Sequence, residues 1–387
     1  MSVWDDFNRL THLRIDYPNS MNKTAEIYGN GRNQVEVMIT LRVVDKNQLP
    51  LPLKETDLEK YVYLCDYYTG KEVSIPWSVA NQDNGYNKVI SYHSFSDNES
   101  KQNIADEGGF IRIHKFISCD RQDNGIVIAA GINIPEVGKF NTSMFGTATR
   151  NGAKGKEGKI FKNPQYVNVI AREPIVYSNE SEFEFVLNDF RDVGNFGYQY
   201  VNGLTSFSDG KISIRTIKIK PSSINFKNNF FKEYILDKEP VDQSKMDNSG
   251  NYFKLFPEGS VSPYVVFQKQ NEVVLMYFNH NHINIEGHFS LFIFPNSEPD
   301  IFKCFPKVSI NNEIVEKGNE IVLYLCKLTA PSIPYNSDYP CYKYSWNDGS
   351  HDLTMKLMDS YGNSGALTLM FENDHFNEPR IILPAIE

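Results

Sequence analysis

The stretch Gln34-Val-Glu-Val-Met-Ile-Thr-Leu-Arg-Val-Val-Asp-Lys-Asn-Gln-Leu-Pro50 carries the pattern that decides the fold. Every second residue from Val35 to Leu41 is apolar, and most of the residues between them are polar or charged. Side chains of an extended chain point alternately to its two sides, so this spacing places the apolar set on one face. The run ends at Asp45-Lys46-Asn47, where turn-forming residues follow. This segment therefore predicts a half-buried β-strand followed by a chain reversal.

Pairs of Asn-Gly and Asp-Gly divide the rest of the chain into segments of similar character. Both pairs tolerate the positive φ angles of the tight turns that join antiparallel strands. The pairs are Asn30-Gly31, Asn84-Gly85, Asn124-Gly125, Asn151-Gly152, Asn202-Gly203, Asp209-Gly210 and Asp348-Gly349. The segments between them are rich in Val, Ile, Tyr, Phe and Thr, so the sequence predicts an all-β protein built from antiparallel hairpins.

The composition supports folded domains and argues against one class of partner. The chain has 387 residues, of which 41% are hydrophobic, and it contains 26 Phe and 22 Tyr. That length and apolar content predict two or three β-sandwich domains of ordinary size. The formal net charge of −9 argues against nucleic acid as a partner, because binding to phosphates needs a basic face.

Changes of pattern along the chain suggest where the domains begin and end. Residues 1–24 are expected to form an N-terminal arm with a short helix over residues 2–11, since Trp4, Phe7 and Leu10 share one helical face. Residues 25–175 are expected to form a β-sandwich, and residues 176–300 a second β-rich domain. Residues 301–387 contain about seven short strand patterns, the density of one small sandwich, and are expected to form a C-terminal Ig-like β-sandwich.

Within the second domain, the segment Lys211–Lys220 alternates with a period of two. The alternation slips by one residue at Thr216, and we interpret this slip as a β-bulge. Residues 143–164 are rich in Gly and Lys and are expected to form a loop that buries little.

The N-terminal segment and the cysteines bear on where the protein acts. The first residues lack the basic and apolar regions of a signal peptide, and no apolar run reaches the roughly 20 residues of a transmembrane helix. The five cysteines are widely spaced and odd in number, which does not indicate a disulfide framework. We expect synthesis in the cytoplasm, with any release from the cell by lysis or by a non-Sec route.

Two stretches resemble bacterial immunoglobulin-like modules of the invasin and intimin type. Residues 34–50 are similar to the opening strand and Asp-x-Asn-Gly-x-Pro turn of those modules, with Gln48 where glycine is usual. Residues 351–369 resemble their final hairpin, with a turn that contains Asp359, Gly362 and Asn363. The resemblance implies at least one Ig-like sandwich and a binding or spacer role. In such a turn, Asp359 would accept backbone N–H groups and Gly362 would adopt positive φ.

The segment from Asn279 to His288 is the best candidate for a metal site. On a strand, His280, His282, Glu286 and His288 would share one face, and imidazole and carboxylate groups are ligands for Zn²⁺. The span is too long for one ion on a straight strand, so a turn at residues 284–287 would be required. The alternative is a polar loop with its flanking strands.

A second candidate site is the group of basic residues Arg150, Lys154, Lys156, Lys159 and Lys162. Its spacing does not match a phosphate-binding P-loop, since Lys156 is followed by Glu157. The group predicts either a solvated loop or contact with an anionic surface, such as lipid headgroups or a sulfated glycan.

The common enzyme motifs are missing from the sequence, and no cofactor is indicated. We therefore expect a non-enzymatic, adhesin-like or toxin-like bacterial protein that recognises a host or cell surface through a protein, glycan or lipid headgroup. The alternative is a structural subunit of a particle, tail or ordered inclusion, and a homo-oligomer is left open. A third hypothesis is a hydrolase or metal enzyme centred on His280 and His282.

Overall fold

Strands dominate the protein. The described residues of a computed structural model lie mostly in strands, arranged in several antiparallel sheets, which confirms the predicted β class. None of the helices among the described residues is long and apolar enough to span a membrane. The described residues are 3–18, 20–93, 108–152, 158–200, 205–222, 229–237, 265–269, 272–278, 282–286, 289–293, 300–305, 307–311, 321–332, 353–370 and 380–382.

The chain divides into two compact units. The first contains Met1–Ile175 together with Ser360–Asn363, and the second contains Val176–Asp359 and Ser364–Glu387. The finer division drawn from the sequence, with boundaries after residues 24, 175 and 300, stays a prediction.

Two sheets and one small hairpin make up the first unit. One sheet has the order β1-β3-β7-β5, a second has the order β4-β8-β12-β2-β6 with β9 added beside β8, and β10 pairs with β11. The described pairs in this unit are antiparallel except β12 with β2, which is parallel. The strands are β1 (Arg9–Asp16), β2 (Thr24–Tyr28), β3 (Val35–Val44), β4 (Val62–Asp66), β5 (Trp77–Ala80), β6 (Ser91–His93), β7 (Ile111–Cys119), β8 (Asp123–Ile134), β9 (Gly138–Asn141), β10 (Arg150–Asn151), β11 (Lys159–Ile160) and β12 (Val167–Arg172). A single helical turn, α1, covers Glu55–Leu58.

Both larger sheets of the first unit contribute to one hydrophobic core. The alternating apolar residues of the quoted stretch, from Val35 to Leu41, lie on β3 and are completely buried. They pack in a cluster that also contains Ile128 and Val169 from the second sheet. Burying each such side chain contributes about 1.5–3 kcal/mol. The alternation in the sequence thus places β3 against the core.

The helix predicted over residues 2–11 is replaced by a short helical turn and a strand. Val3–Asp6 forms one 3₁₀ turn, and β1 begins at Arg9 and pairs with β3. Trp4 and Phe7 are still buried in the core of the unit. An isolated helix of this length is marginal, and pairing with β3 satisfies the backbone groups of β1 instead.

The second unit is built mainly around one large sheet. Its order is β17-β18-β23-β15-β14-β21-β20, with β13 also paired to β15. A four-stranded sheet has the order β16-β24-β25-β26, and β19 pairs with β22. The strands are β13 (Phe183–Leu187), β14 (Arg191–Tyr200), β15 (Ser206–Pro221), β16 (Phe231–Leu236), β17 (Val265–Lys269), β18 (Glu272–Phe278), β19 (His282–Glu286), β20 (Phe289–Ile293), β21 (Asp300–Phe305), β22 (Lys307–Asn311), β23 (Ile321–Thr329), β24 (Leu353–Asp359), β25 (Ser364–Met370) and β26 (Arg380–Ile382).

The slip in the pattern of β15 has a different cause from the predicted bulge. β15 pairs with β23 in continuous register from Lys211 to Ile219, so no residue is inserted at Thr216 against that strand. On its other edge β15 pairs with β14 up to Ile214 and with β13 from Ile217 onward. The buried isoleucines therefore move from one face of the strand to the other where its neighbour changes.

Candidate functional site

A β-turn in the first unit exposes two large apolar side chains. The Gly146 N–H donates to the Ser143 carbonyl at 3.0 Å, which makes Met144 and Phe145 the two corner residues. Met144 is 45% exposed and Phe145 is 70% exposed. Corner positions normally carry Gly, Pro, Asn, Asp or Ser, so this turn presents apolar surface where polar residues are usual.

The β10–β11 hairpin lies beside this turn and is firmly attached to the unit. The Asn151 side chain accepts from the Leu10 N–H at 3.0 Å and donates to the Leu10 carbonyl at 2.9 Å, as a neighbouring strand would. Phe161, just after β11, is buried with its ring 5.8 Å from that of Phe140. These contacts correct the expectation that residues 143–164 bury little, since a buried aromatic ring and a paired amide anchor the hairpin.

Close backbone packing joins the turn to the segment after β11. Gly146 has φ +66°, and a Cβ built on it would lie 2.4 Å from the Phe161 carbonyl oxygen and 3.2 Å from the Lys162 Cα. The Thr147 N–H also donates to the Phe161 carbonyl at 3.3 Å. Only glycine fits at position 146 without displacement, so the turn is held against Lys162.

The outward side of the hairpin carries both apolar and cationic groups. Arg150 and Ile160 are directly opposite each other in the β10–β11 register, which brings their side chains to the same face. Ile160 is 60% exposed. Lys162, which follows the buried Phe161 in the chain, is also exposed. We call Met144, Phe145, Arg150, Ile160 and Lys162 the loop-tip surface.

Three tyrosines form a cluster next to the turn. The Tyr67 ring centroid lies 5.3 Å from that of Tyr68 and 4.8 Å from that of Tyr166. The Met144 N–H donates to the Tyr67 carbonyl at 2.8 Å, which fixes the tyrosine cluster beside the loop-tip surface. Tyr68 is 57% exposed and Tyr166 is 43% exposed, so these rings extend the apolar surface and add hydroxyl groups.

The charged side chains at and beside the loop-tip surface are mainly positive. Arg150, Lys159 and Lys162 are exposed, and within the described part of the chain they form no ion pair. Asp66, the last residue of β4, accepts from the Thr69 N–H at 2.7 Å. Lys154 and Lys156, predicted as members of the basic group, lie outside the described residues. The structure thus brings Arg150 and Lys162 to the loop-tip surface.

The predicted metal ligands are only partly described. His280 and His288 lie outside the described residues, whereas His282 and Glu286 are the two ends of β19. This strand runs through residues 282–286, where the sequence interpretation required a turn at residues 284–287. Among the described residues, no group of three or more His, Cys, Asp or Glu could hold a metal. The metal site stays a prediction.

The predicted turn residues Asp359, Gly362 and Asn363 all lie among the described residues. Gly362 has φ +82°. Asp359 is completely buried, and its carboxylate accepts from the Tyr177 hydroxyl at 2.7 Å and from the Asn229 amide at 2.9 Å. The Asn363 side-chain oxygen accepts from the Asn30 amide at 2.9 Å.

Tyr198, Asp209 and Ser332 form a hydroxyl–carboxylate cluster in the second unit. The hydroxyls of Tyr198 and Ser332 each donate to Asp209 at 2.6 Å. Burial raises the pKa of Tyr198 to about 12, and the hydrogen bonds from Ser332 and Tyr198 lower the pKa of Asp209. A carboxylate with a lowered pKa is a weak base, so this arrangement does not activate the serine hydroxyl.

Cys65 and Cys326 do not resemble catalytic nucleophiles. Cys65 and Cys326 are completely buried, and burial raises the pKa of each thiol to about 12. Because the thiolate is the reactive form, both residues act as small apolar core residues.

Sequence reasoning identified the basic residues of this region and missed the apolar ones. The signal was present in Ser143-Met-Phe-Gly146, where a glycine follows two large apolar residues in an otherwise polar segment. The sequence matches no protein-family model, and a search of curated proteins returns no match. The loop-tip surface is therefore the feature from which a function is inferred.

Proposed function

We propose that this protein is a non-enzymatic recognition protein that binds a cell surface through the loop-tip surface of its first unit. The observation that carries the proposal is the exposure of Met144 and Phe145 at the corners of a well-anchored turn. Exposed apolar groups clustered on a surface commonly mark sites of interaction. An adhesin-like or toxin-like effector would use such a surface to contact a host cell.

Rigidity of the surroundings supports a role in recognition. The turn is held by the bonds of Gly146 and Met144, and the hairpin is held by Asn151 and Phe161. A preorganised surface loses less conformational entropy on binding than a flexible loop does. A rigid scaffold that presents side chains on loops is also a common arrangement for binding sites.

The proposal includes an Ig-like sandwich as the scaffold of the first unit. Two sheets that share one core and expose loops at their ends support this assignment. The turn at Asp45 supports it further, because Asp45 Oδ1 accepts from the N–H groups of Asn47 at 2.8 Å and Leu49 at 2.9 Å. Gln48, which replaces the glycine usual in bacterial Ig-like modules, has the positive φ of +65° that glycine would adopt.

Binding of the labelled full chain to intact animal and bacterial cells would test the proposal. The test variant is Met144→Ser with Phe145→Ser, which removes the apolar corners without changing charge. Its matched control is Leu49→Ser with Ile75→Ser, since these side chains are 60% and 84% exposed elsewhere on the first unit. We expect saturable binding of the parent and the control to at least one cell type, and a loss of about tenfold in affinity for the test variant.

Two outcomes would contradict the proposal. One is the absence of saturable binding to every cell type tested. The other is equal binding by the parent and the Met144→Ser, Phe145→Ser variant, which would show that the loop-tip surface takes no part in recognition.

A structural subunit is the second candidate function, and one observation favours it. β16 pairs with β24 alone among the described strands, and its Ile235 is 69% exposed. An unpaired strand edge with an exposed apolar residue can pair with another chain. Light scattering after size exclusion would test this role. A defined large oligomer that dissociates in Ile235→Lys supports assembly, and a monomeric parent chain contradicts it.

A further inference from the structure

We infer that the ligand of the loop-tip surface is a lipid bilayer containing anionic headgroups, into which Met144 and Phe145 insert. This inference rests on the proposed function, and it specifies the chemistry of the cell-surface component. It adds a mode of contact in which apolar side chains enter the interface while cations remain at the headgroups.

The apolar part of the surface fits an interface better than it fits a polar ligand. Met144, Phe145 and Ile160 are 45%, 70% and 60% exposed, and none of the three has a strong hydrogen-bonding group for a sugar hydroxyl, since the Met144 sulfur is only a weak acceptor. Transfer of such side chains from water to an apolar environment is favourable in proportion to the area removed. The hydrocarbon boundary of a bilayer provides that environment.

The polar part of the surface matches the headgroup layer. Arg150 and Lys162 flank the apolar residues and form no ion pair with another described residue. Each Lys or Arg near an anionic membrane strengthens binding about fivefold. The tyrosine cluster lies beside the turn, and tyrosine is enriched at the level of the headgroups because its ring is apolar and its hydroxyl is polar.

Hydrogen bonding of the backbone suits the turn from Ser143 to Gly146 to a less polar environment. The N–H groups of Met144 and Gly146 donate to carbonyl groups of the protein, at 2.8 Å and 3.0 Å. Unpaired backbone groups are costly to remove from water, so these bonds reduce the penalty for insertion. The close contact of Gly146 with Phe161 keeps the two corner side chains projecting from the surface.

Charge and apolarity make separable contributions, which allows a decisive test. Sedimentation of the full chain with phosphatidylcholine vesicles, with or without about 30% phosphatidylserine, would measure binding at low and physiological salt. The variants are Met144→Ser with Phe145→Ser, and Lys162→Gln. Their controls are Leu49→Ser with Ile75→Ser, and Lys46→Gln on the exposed Asp45 turn.

We expect binding to vesicles with phosphatidylserine that weakens as salt rises. The corner variant should lose about tenfold or more, Lys162→Gln about fivefold, and neither control should change. Vesicle binding that is absent, or that is equal for the corner variant and the parent, would overturn the inference. Binding to a sulfated glycan that depends on Lys162 but not on Met144 and Phe145 would also overturn it and assign the surface to glycans.

The vesicle and cell experiments separate the two proposals. Cell binding that requires Met144 and Phe145, in the absence of vesicle binding, contradicts the lipid ligand and leaves the recognition function standing. An absence of cell binding contradicts the recognition function itself.

Discussion

Two turns of the first unit place polar and apolar side chains in opposite ways. The turn from Ser143 to Gly146 exposes apolar Met144 and Phe145 at its corners. The turn Ser360–Asn363, which belongs to the same unit, contains mostly polar residues and is buried. The usual preference for apolar residues inside and polar residues outside is reversed in both.

The buried turn is explained by contacts within the unit. The Asn87 N–H donates to the Ser360 carbonyl at 2.7 Å, and the Asn30 amide donates to the Tyr361 carbonyl at 3.0 Å. Arg32 donates to the Gly362 carbonyl at 3.3 Å, and the rings of Tyr28 and Tyr361 meet edge to face at 5.7 Å. Buried polar groups are stable when they are paired in this way.

No described residue covers the side chains of Met144 and Phe145 in a corresponding way, which is why a ligand is proposed for them. The hydrogen-bond and packing partners of a turn, more than the polarity of its own residues, determine whether the turn is buried. The predictions below test each side of this contrast through the free energy of unfolding of the full chain in urea.

The largest effect is expected at Gly362. An alanine there would have to adopt φ +82° with its Cβ 2.6 Å from the Arg32 Cβ, so we expect Gly362→Ala to lower the free energy of unfolding by about 3 kcal/mol. Gly31→Ala is the matched control, because Gly31 has φ +74° but its nearest neighbour is Asp120 Cα at 4.0 Å. The control should lose only about 1 kcal/mol, from the positive φ alone. Equal losses would show that the buried turn is not tightly packed.

The second effect is expected at Asn30. Its side-chain oxygen accepts from the N–H groups of Arg32 at 2.9 Å and Asn33 at 2.8 Å, and its amide donates to Tyr361 and Asn363. Removing these bonds in Asn30→Ala should lower the free energy of unfolding by about 2 kcal/mol. Asn30→Asp keeps the acceptor but places a carboxylate oxygen against the Tyr361 carbonyl and the Asn363 side-chain oxygen, so it should be no more stable than the alanine variant. A near-neutral alanine variant would mean that the turn is buried for another reason.

A smaller effect of opposite sign is expected at Gln48. Its φ of +65° is strained for any residue with a Cβ, so Gln48→Gly should raise the free energy of unfolding by about 0.5–1 kcal/mol. Gln48→Ala keeps the Cβ and should give no gain. A stabilising alanine variant would attribute the effect to the lost side chain instead of the backbone.

The smallest effect is expected at the loop tip. Met144→Ser with Phe145→Ser should change the free energy of unfolding by less than about 0.5 kcal/mol per residue, as for other exposed positions. The Leu49→Ser, Ile75→Ser control should change the free energy of unfolding by a similarly small amount. A clear loss of stability in the corner variant alone would show that these side chains serve the fold, and the contrast between the two turns would disappear.

Local patterns predicted the strands well because local geometry determines them. The alternation from Val35 to Leu41 marks β3 directly, and the slip at Thr216 marks a real change along β15. The cause of that slip was not predictable, since it lies in which strands pair with β15 on the edge opposite β23. The N-terminal segment was also ambiguous, because Trp4, Phe7 and Leu10 could be buried by a helix or by a turn followed by a strand.

The candidate site was only partly predictable for a similar reason. Exposed lysines can be identified from composition, but the exposure of Phe145 depends on contacts distant in sequence. Tyr67 and Phe161 hold the turn in place from 78 and 16 residues away, and nothing in the sequence near residue 145 indicates them. Two neighbouring apolar residues in a loop would ordinarily be expected to be buried.

The membership of Ser360–Asn363 in the first unit has a consequence for biosynthesis. When residues 1–175 have emerged from the ribosome, the partners of Asn30 and Asn87 have not yet been synthesised, because they lie 273 residues or more later in the chain. The first unit can therefore acquire its full set of hydrogen bonds only after residue 363 has been translated. A nascent chain would carry these amides exposed to water until then, and a nonsense mutation before codon 360 would leave them so permanently.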